Sequence, residues 1–282
     1  MAKEQQTTPS REITGAIFCS ILPAFLLPRS PRPSSISTCI IAATFSEAVA
    51  ILTDAVASRR GPAGIVSTPN VDHVVRLDKQ PDLQPIYRQA EYLFADGMPI
   101  VWASRLLGRP LPERVTGSDL FVALCRQAVA HGWKIAILGG MPGDGPMLES
   151  RFAATYPGID VTVMTPSMRF DPLGDEGREA ADRIRALAPD LVFVCLGMPK
   201  QETWAGRYAA TLPHGLVLCV GAAMEFAIGL QRRAPRLVQR MGMEWLWRLL
   251  SNPGRLWRRY LKEDPRFFAI CWREYRSGVR GR

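Results

Sequence analysis

Short apolar segments alternate with longer amphipathic segments along most of this chain, from residue 39 to about residue 220. The apolar segments are rich in Val, Ile, Leu and Phe, and most end in a glycine or a small polar residue, which is typical of buried parallel strands. The predicted strands are residues 39–43, 64–67, 92–95, 133–138, 159–163, 190–196 and 216–220. The alternation predicts an α/β fold: a Rossmann-like, mostly parallel sheet with helices on both faces.

Local signals also predict where helices begin. Thr44 and Glu47 form a capping-box pattern, which predicts a helix that continues through about Ser58. Thr116 opens a second predicted helix, which reaches His131. These helices lie between predicted strands, as a sheet with crossover connections requires.

Polar residues and glycines follow several of the predicted strands. They are Thr68, Asn70, Asp96, Gly139, Gly140, Gly197, Gln201 and Gly221. In an open parallel sheet, ligands bind outside the carboxyl ends of the strands. One such end carries little information, but several converging ends predict a binding site.

The two ends of the chain differ from this pattern. Residues 1–38 are predicted to be a poorly ordered extension, because their apolar run at 13–27 is shorter than the roughly 20 residues of a membrane span. The catalytic domain is predicted over 39–230. Residues 231–282 are predicted to form a basic helical appendage.

The charge of the chain is concentrated in this appendage. Residues 232–282 contain fourteen Lys and Arg, four acids and four of the seven Trp, whereas the rest of the chain is almost neutral. Asn252 and Pro253 predict a helix that carries a basic stripe. Its residues are Arg255, Arg258, Arg259 and Lys262. Basic residues interleaved with tryptophan favour an anionic membrane surface, and no nucleic-acid recognition motif is present.

Asp96 is the first candidate for chemistry, since an Asp-Gly pair after a strand is either a turn or a carboxylate held at the edge of the sheet. The surrounding sequence favours the second interpretation. The relevant segments are STPNVDHVVRL (67–77), ADGMPIVWASRLLG (95–108), PERVTGSDLF (112–121), ILGGMPG (137–143), PDLVFVCLGMPKQE (189–202), VGAAMEFAIG (220–229) and the segment 232–260. In this order they resemble the WecG/TagA/CpsF family of glycosyltransferases (family 26).

The resemblance implies an inverting transfer of a sugar from a UDP-sugar to a polyprenyl-diphosphate-linked acceptor, for cell-surface polysaccharide synthesis. It implies a peripheral protein at the cytoplasmic face of the inner membrane. It makes Asp96 the catalytic base. It also implies donor or substrate binding by Thr68, Asn70, Arg114 and Gln201, and diphosphate binding by Arg248, Arg255 and Arg258.

The residues themselves indicate how a leaving diphosphate would be stabilised. The chain has no Asp-x-Asp motif, and its six cysteines have no metal-ligand spacing, so neither a metal nor a cofactor is predicted. Backbone N–H groups at Gly139, Gly140 and Gly197, together with arginines, would supply the positive charge. Glu202 lies in the first turn of a helix predicted from Pro199, and we count it among the donor-site residues.

The sequence leaves several alternatives open. A non-catalytic protein that binds a nucleotide sugar or a polyprenyl phosphate at the membrane would need much of the same surface. The donor sugar stays open among N-acetylmannosamine, its uronic acid and glucose. The acceptor sugar and the formation of a homo-oligomer stay open as well.

Overall fold

The fold is seen in a computed structural model, which describes residues 40–231, 234–235, 238, 244–251 and 253–280. The predicted extension of residues 1–38 lies outside them. Six parallel strands form one sheet in the order β2–β1–β6–β5–β3–β4. The strands are β1 Gly64–Ser67, β2 Tyr92–Leu93, β3 Lys134–Gly139, β4 Asp160–Met164, β5 Leu191–Cys195 and β6 Leu216–Cys219. The predicted α/β class and parallel sheet are confirmed.

Helices cover both faces of the sheet, which completes the predicted architecture. Those of the core are α1 Phe45–Ser58, α2 Val71–Lys79, α3 Gln84–Tyr87, α4 Met98–Leu106, α5 Gly117–His131, α6 Gly145–Thr155, α7 Asp175–Leu187, α8 Lys200–Tyr208 and α9 Ala223–Ala227. Short 3₁₀ turns lie at Pro81–Leu83 and Ala209–Thr211. Successive strand residues point to opposite faces, so Ile137 belongs to the buried cluster that includes residues of α5 and α6, whereas Leu138 belongs to the cluster on the other face, which includes residues of α7 and α8.

The capping signals were correct. The Thr44 side chain accepts a hydrogen bond from the Glu47 N–H, and the Glu47 carboxylate accepts one from the Thr44 N–H, so the predicted capping box is formed. Thr116 caps α5 by accepting from the N–H of Asp119 at 3.1 Å.

Two strand predictions need correction. Residues 39–43 do not form a strand in the described part, since only Ile40 makes an isolated bridge to Leu93. The strand predicted over 92–95 ends at Leu93. Beyond it, the N–H groups of Phe94 and Asp96 still donate to Ser67 and Pro69, but the Ala95 carbonyl accepts from Val115 in the loop before α5.

Three helices of the appendage lie within the described residues. They are α10 Glu244–Ser251, α11 Pro253–Arg258 and α12 Arg266–Arg280, with a π-helical turn over Arg259–Glu263. α12 packs on α2, burying Phe267 and Ile270 in the core. No helix in the described ranges is both long enough and apolar enough to cross a bilayer.

Candidate active site

Four adjacent strands end at the same edge of the sheet and carry the predicted site residues. These strands are β2, β1, β6 and β5, in that spatial order. The segments that follow them contain Asp96, Thr68–Asn70, Gly221 and Gly197–Gln201. The parallel sheet therefore brings residues more than 150 positions apart in sequence to one crevice.

Asp96 is half-buried and held by its backbone between two neighbouring segments. Its N–H donates to the carbonyl of Pro69 at 3.0 Å, and the preceding Ala95 carbonyl accepts from the N–H of Val115 at 2.8 Å. Gly97 has φ +118, a conformation that turns the chain directly into α4. The carboxylate thus lies on a fixed backbone beside the end of β1, where it can accept a proton from a bound hydroxyl.

The segment after β1 is packed tightly against the start of α5. Thr68 is buried, and a Cβ added to Gly117 would lie 2.8 Å from Thr68 Oγ1 and 3.4 Å from Val220 Cα. Glycine at position 117 therefore lets α5 begin directly against the ends of β1 and β6. Asn70 caps α2, because its Oδ1 accepts from the N–H of His73 at 3.3 Å.

Gln201 lies inside the edge of the sheet, with only 2% of its surface exposed. Its Oε1 accepts from the N–H of Gly197 at 3.2 Å and from that of Gly221 at 2.9 Å. Its Nε2 donates to Glu202 Oε1 at 2.8 Å. The Gly197 N–H, which we predicted to face phosphate, therefore donates to Gln201 instead. Through these hydrogen bonds Gln201 holds the turns at Gly197 and Gly221, which line the crevice.

Gly139 and Gly140 allow close packing at the end of β3. A Cβ on Gly139 would lie 2.6 Å from the Cβ of Cys195 on the neighbouring strand. A Cβ on Gly140 would lie 2.9 Å from Leu148 Cδ1. Packing alone thus accounts for both glycines, and their contact with phosphate stays a prediction.

Arg114 joins the core to the appendage. Its Nη1 lies 3.0 Å from Glu244 Oε2, and the two side chains are only 16% and 12% exposed. Glu244 is the first residue of α10. Since Val115, the next residue, is bonded to Ala95, this ion pair seats the appendage close to Asp96. The predicted role of Arg114 in donor binding stays a prediction.

The three predicted diphosphate-binding arginines lie on the appendage helices. Arg248 belongs to α10 and Arg255 to α11, but their side chains lie outside what the structure describes. The exposed guanidinium of Arg258 lies 5.8 Å from the ring centre of Trp257. Asn252, the predicted cap of α11, also lies outside the described residues.

The sequence did not indicate a buried polar group beneath this edge. Tyr87 Oη lies 2.7 Å from His73 Nδ1 and donates to Glu202 Oε1 at 3.1 Å. Burial raises the pKa of the Glu202 carboxyl above its ordinary value, and it raises the pKa of Tyr87 as well. Tyr87 and Glu202 are 115 positions apart, so no local motif could have paired them.

A second acid, half-buried on α2, holds the last helix of the appendage. The Asp78 carboxylate on α2 accepts from Arg266 Nε at 2.8 Å and from Arg273 Nη2 at 2.7 Å. Arg266 and Arg273 lie on α12, which is thereby fixed to the helix that begins at Asn70. The sequence predicted the basic appendage but not this attachment.

This arrangement defines a class of protein. A doubly wound parallel sheet with a carboxylate and several close-packed turns at its carboxyl edge is the framework of enzymes that bind nucleotide-like ligands there.

Comparison with known proteins identifies the family. Residues 35–281 match the glycosyl transferase WecG/TagA/CpsF family, to which this chain belongs. The chain is 32% identical over 202 residues to a protein of Bacillus spizizenii, an N-acetylglucosaminyldiphosphoundecaprenol N-acetyl-beta-D-mannosaminyltransferase. The alignment covers 72% of this chain and 76% of the relative. The predicted family and the prediction of a glycosyltransferase are confirmed.

Proposed function

We propose that this protein transfers one sugar from a UDP-sugar to a polyprenyl-diphosphate-linked acceptor, with inversion of the anomeric carbon and without a metal ion. The observation that carries the proposal is the half-buried Asp96, whose backbone is fixed beside the end of β1 in a glycosyltransferase framework. The name of the Bacillus spizizenii relative favours N-acetylmannosamine among the three candidate sugars. It likewise favours an acceptor that ends in N-acetylglucosamine.

The reaction is a single displacement. Asp96 takes the proton of the acceptor hydroxyl as its oxygen attacks the anomeric carbon of the donor sugar. The bond between that carbon and the diphosphate oxygen breaks on the opposite face, and the electron pair leaves with UDP. One displacement inverts the configuration, and the proton then passes from Asp96 to solvent.

Arginines are the proposed counter-charges for the leaving diphosphate. The described residues contain no group of three His, Cys, Asp or Glu that could hold a metal ion, and the chain has no Asp-x-Asp motif. Arginine binds diphosphate oxygens through two parallel hydrogen bonds. We assign this role to Arg248, Arg255 and Arg258, since the contact of Arg114 with Glu244 brings the appendage that carries them to the core.

The test is Asp96→Asn, which keeps the size of the side chain but removes the base. We expect turnover to fall by about 100- to 10,000-fold, the usual contribution of a general base, with unchanged thermal stability. Asp160→Asn is the matched control, because Asp160 is an exposed aspartate at the amino end of β4. Transfer would be measured with UDP-N-acetylmannosamine, its uronic acid form and UDP-glucose. Near-normal transfer by the Asp96 variant would remove it as the base.

We further propose that the appendage binds an anionic membrane surface at the cytoplasmic face. The side of α12 opposite the core exposes Phe268 and Trp272, and Arg276 lies 5.3 Å from the Trp272 ring. In the preceding turn, Lys262 lies 5.3 Å from the exposed Trp257 ring. Aromatic rings beside basic groups suit the headgroup layer of a bilayer, where each cation gains about 1 kcal/mol.

Vesicle sedimentation tests this surface. Replacing Phe268 and Trp272 by serine should reduce binding to vesicles that contain anionic lipid by more than tenfold, through lost apolar burial. Met168 and Leu173 are equally exposed in the loop before α7, so their double serine variant is the control. Equal losses in the two double variants would contradict a dedicated surface on α12.

A further inference from the structure

A hydrogen-bonded chain of buried polar side chains runs beneath the carboxyl edge of the sheet. The displacement proposed above gives no step to Tyr87 or Glu202, which form its centre. His73, Tyr87, Gln201 and Glu202 are each at most 8% exposed. Tyr87 Oη bridges His73 Nδ1 at 2.7 Å and Glu202 Oε1 at 3.1 Å. The same Oε1 accepts from Gln201 Nε2 at 2.8 Å.

The two ends of this chain reach two walls of the crevice. At one end, the backbone N–H of His73 donates to Asn70 Oδ1 after β1. At the other, Gln201 Oε1 accepts from the N–H groups of Gly197 and Gly221, after β5 and β6. The chain therefore couples the turns after three neighbouring strands.

Glu202 fixes the orientation of the Gln201 amide. A primary amide has an accepting and a donating side, and rotation by 180° would place the Gln201 NH₂ against the two glycine N–H groups. The Glu202 oxygen accepts only from the NH₂ side, which leaves the amide oxygen to face Gly197 and Gly221. The position of these two turns thus depends on an acid that lies behind them.

The burial of Glu202 is costly for stability, which argues against a purely structural reason for an acid there. Its Oε2 is buried and has no hydrogen-bond partner among the described residues. A buried polar atom left without a partner lowers stability, and an apolar side chain would avoid that loss.

Gly197 and Gly221 expose their outer sides to open space. Both have left-handed backbones, with φ +76 and +57, and nothing lies within 4 Å of a Cβ added to either. A ligand can therefore approach the peptide backbone of both turns closely, provided that the inner sides are held in place.

We infer that Glu202 is a positioning residue for the nucleotide-sugar donor: through Gln201 it holds the turns at Gly197 and Gly221 in the shape that receives the diphosphate. The inference rests on the proposed function, because it assumes that UDP binds at this edge. Asp96 is not part of these linked hydrogen bonds. Loss of Glu202 would therefore weaken donor binding while leaving Asp96 in place.

The experiment compares Glu202→Leu with Glu202→Gln in the full-length protein. The leucine removes the acceptor for Gln201, so we expect the Kd for UDP, measured by calorimetry, and the KM for the UDP-sugar to rise about tenfold, with kcat within about threefold. The glutamine retains an acceptor oxygen and should restore both constants. A merely destabilised protein would instead lose active fraction and kcat with unchanged Kd and KM.

Two further variants keep the test decisive. Tyr87→Phe removes one donor to Glu202 and should raise the Kd for UDP by about threefold, even if Glu202→Leu fails to fold. Trp204 lies on α8, as Glu202 does, and donates a buried hydrogen bond to the Gly177 carbonyl at 2.9 Å. Trp204→Phe removes this bond and should leave the Kd for UDP unchanged.

The outcomes separate this inference from the proposed function. UDP binding without sugar transfer by the unaltered protein would refute the function but would still test the positioning role through the Kd. The inference is overturned if the unaltered protein does not bind UDP, if the Kd is unchanged in Glu202→Leu and Tyr87→Phe, or if Glu202→Gln is as defective as Glu202→Leu.

Discussion

The α/β core and the appendage are held in place by different forces. The core surrounds its sheet with fully buried side chains such as Phe121 and Phe193, whose ring centres are 4.1 Å apart. The described part of the appendage buries a short apolar strip and also contacts the core through ion pairs at Arg114, Lys79 and Asp78. Salt does not screen apolar burial, whereas the ion pairs at Asp78, whose arginines are about half exposed, are weakened by salt and by protonation of the carboxylate.

This difference in attachment matches a difference in the roles proposed for the core and the appendage. The edge that carries Asp96 is positioned by backbone hydrogen bonds and close packing, so it is already formed in the isolated protein. The arginines proposed to meet the diphosphate are carried by the more weakly attached region. The position of the appendage should therefore change under conditions that leave the core intact.

Three phenylalanines test the comparison with the largest expected effect. Phe193→Ala removes a side chain that is 0% exposed in β5, and should lower the free energy of unfolding by about 3–5 kcal/mol. Phe267→Ala, on the buried side of α12, should release that helix but leave the main unfolding transition within about 1 kcal/mol. Urea denaturation gives the first quantity, and amide hydrogen exchange in α12 reports the second.

The exposed Phe268 provides the control for both variants. Phe268→Ala should change neither the unfolding transition nor exchange in α12, because this side chain is 71% exposed. If Phe267→Ala destabilised the whole protein as much as Phe193→Ala, the appendage would belong to the cooperative core and the comparison would fail.

The same distinction explains what the sequence could and could not predict. The capping box at Thr44 and the start of α5 at Thr116 depend on residues within one helical turn, and both predictions were correct. The strand predicted over 39–43 was wrong because its apolar composition alone does not supply a partner in the ladder, and among residues 40–43 only Ile40 forms a bridge.

The site was predicted at the level of strand ends but not of side-chain partners. A parallel sheet must bring Asp96, Asn70 and Gln201 to one edge, so the location followed from the strand pattern. The contact of Glu202 with Tyr87 depends on how helices pack, and the Arg114 and Glu244 pair joins positions 130 apart. Neither the composition of the sequence nor the spacing of its residues predicts such long-range pairs.

Exchanging the charges of Arg114 and Glu244 tests how the appendage is attached to the core. We expect an effect between those of the other two experiments. Each single variant, Arg114→Glu or Glu244→Arg, leaves a largely buried charge beside a like charge, and should weaken docking of α10 by at least about 2 kcal/mol. The double variant restores opposite charges and should recover docking, measured by amide exchange over 244–251.

Activity of the double variant then separates two roles of Arg114. If Arg114 acts only by seating the appendage, transfer should recover together with docking. If it also binds the donor, as the family resemblance implies, docking should recover while the KM for the UDP-sugar stays high. Failure of docking to recover would show that this ion pair does not attach α10.

The smallest expected effect concerns Asp78 and its two arginines. Burial opposes ionisation of this carboxyl, but hydrogen bonds from Arg273 and Arg266 outweigh it, so the pKa of Asp78 lies below its ordinary value of 3.8. A carboxyl whose pKa is lowered by folding contributes stability above the unfolded value, and that contribution is lost as the pH falls through the folded value.

Because both arginines are about half exposed, we expect a contribution of about 1 kcal/mol. Asp78→Asn should therefore lower the protection of α12 amides from exchange, relative to their intrinsic rates, by roughly fivefold at pH 7. It should also abolish the loss of protection below pH 4, whereas the exposed Asp82→Asn should do neither.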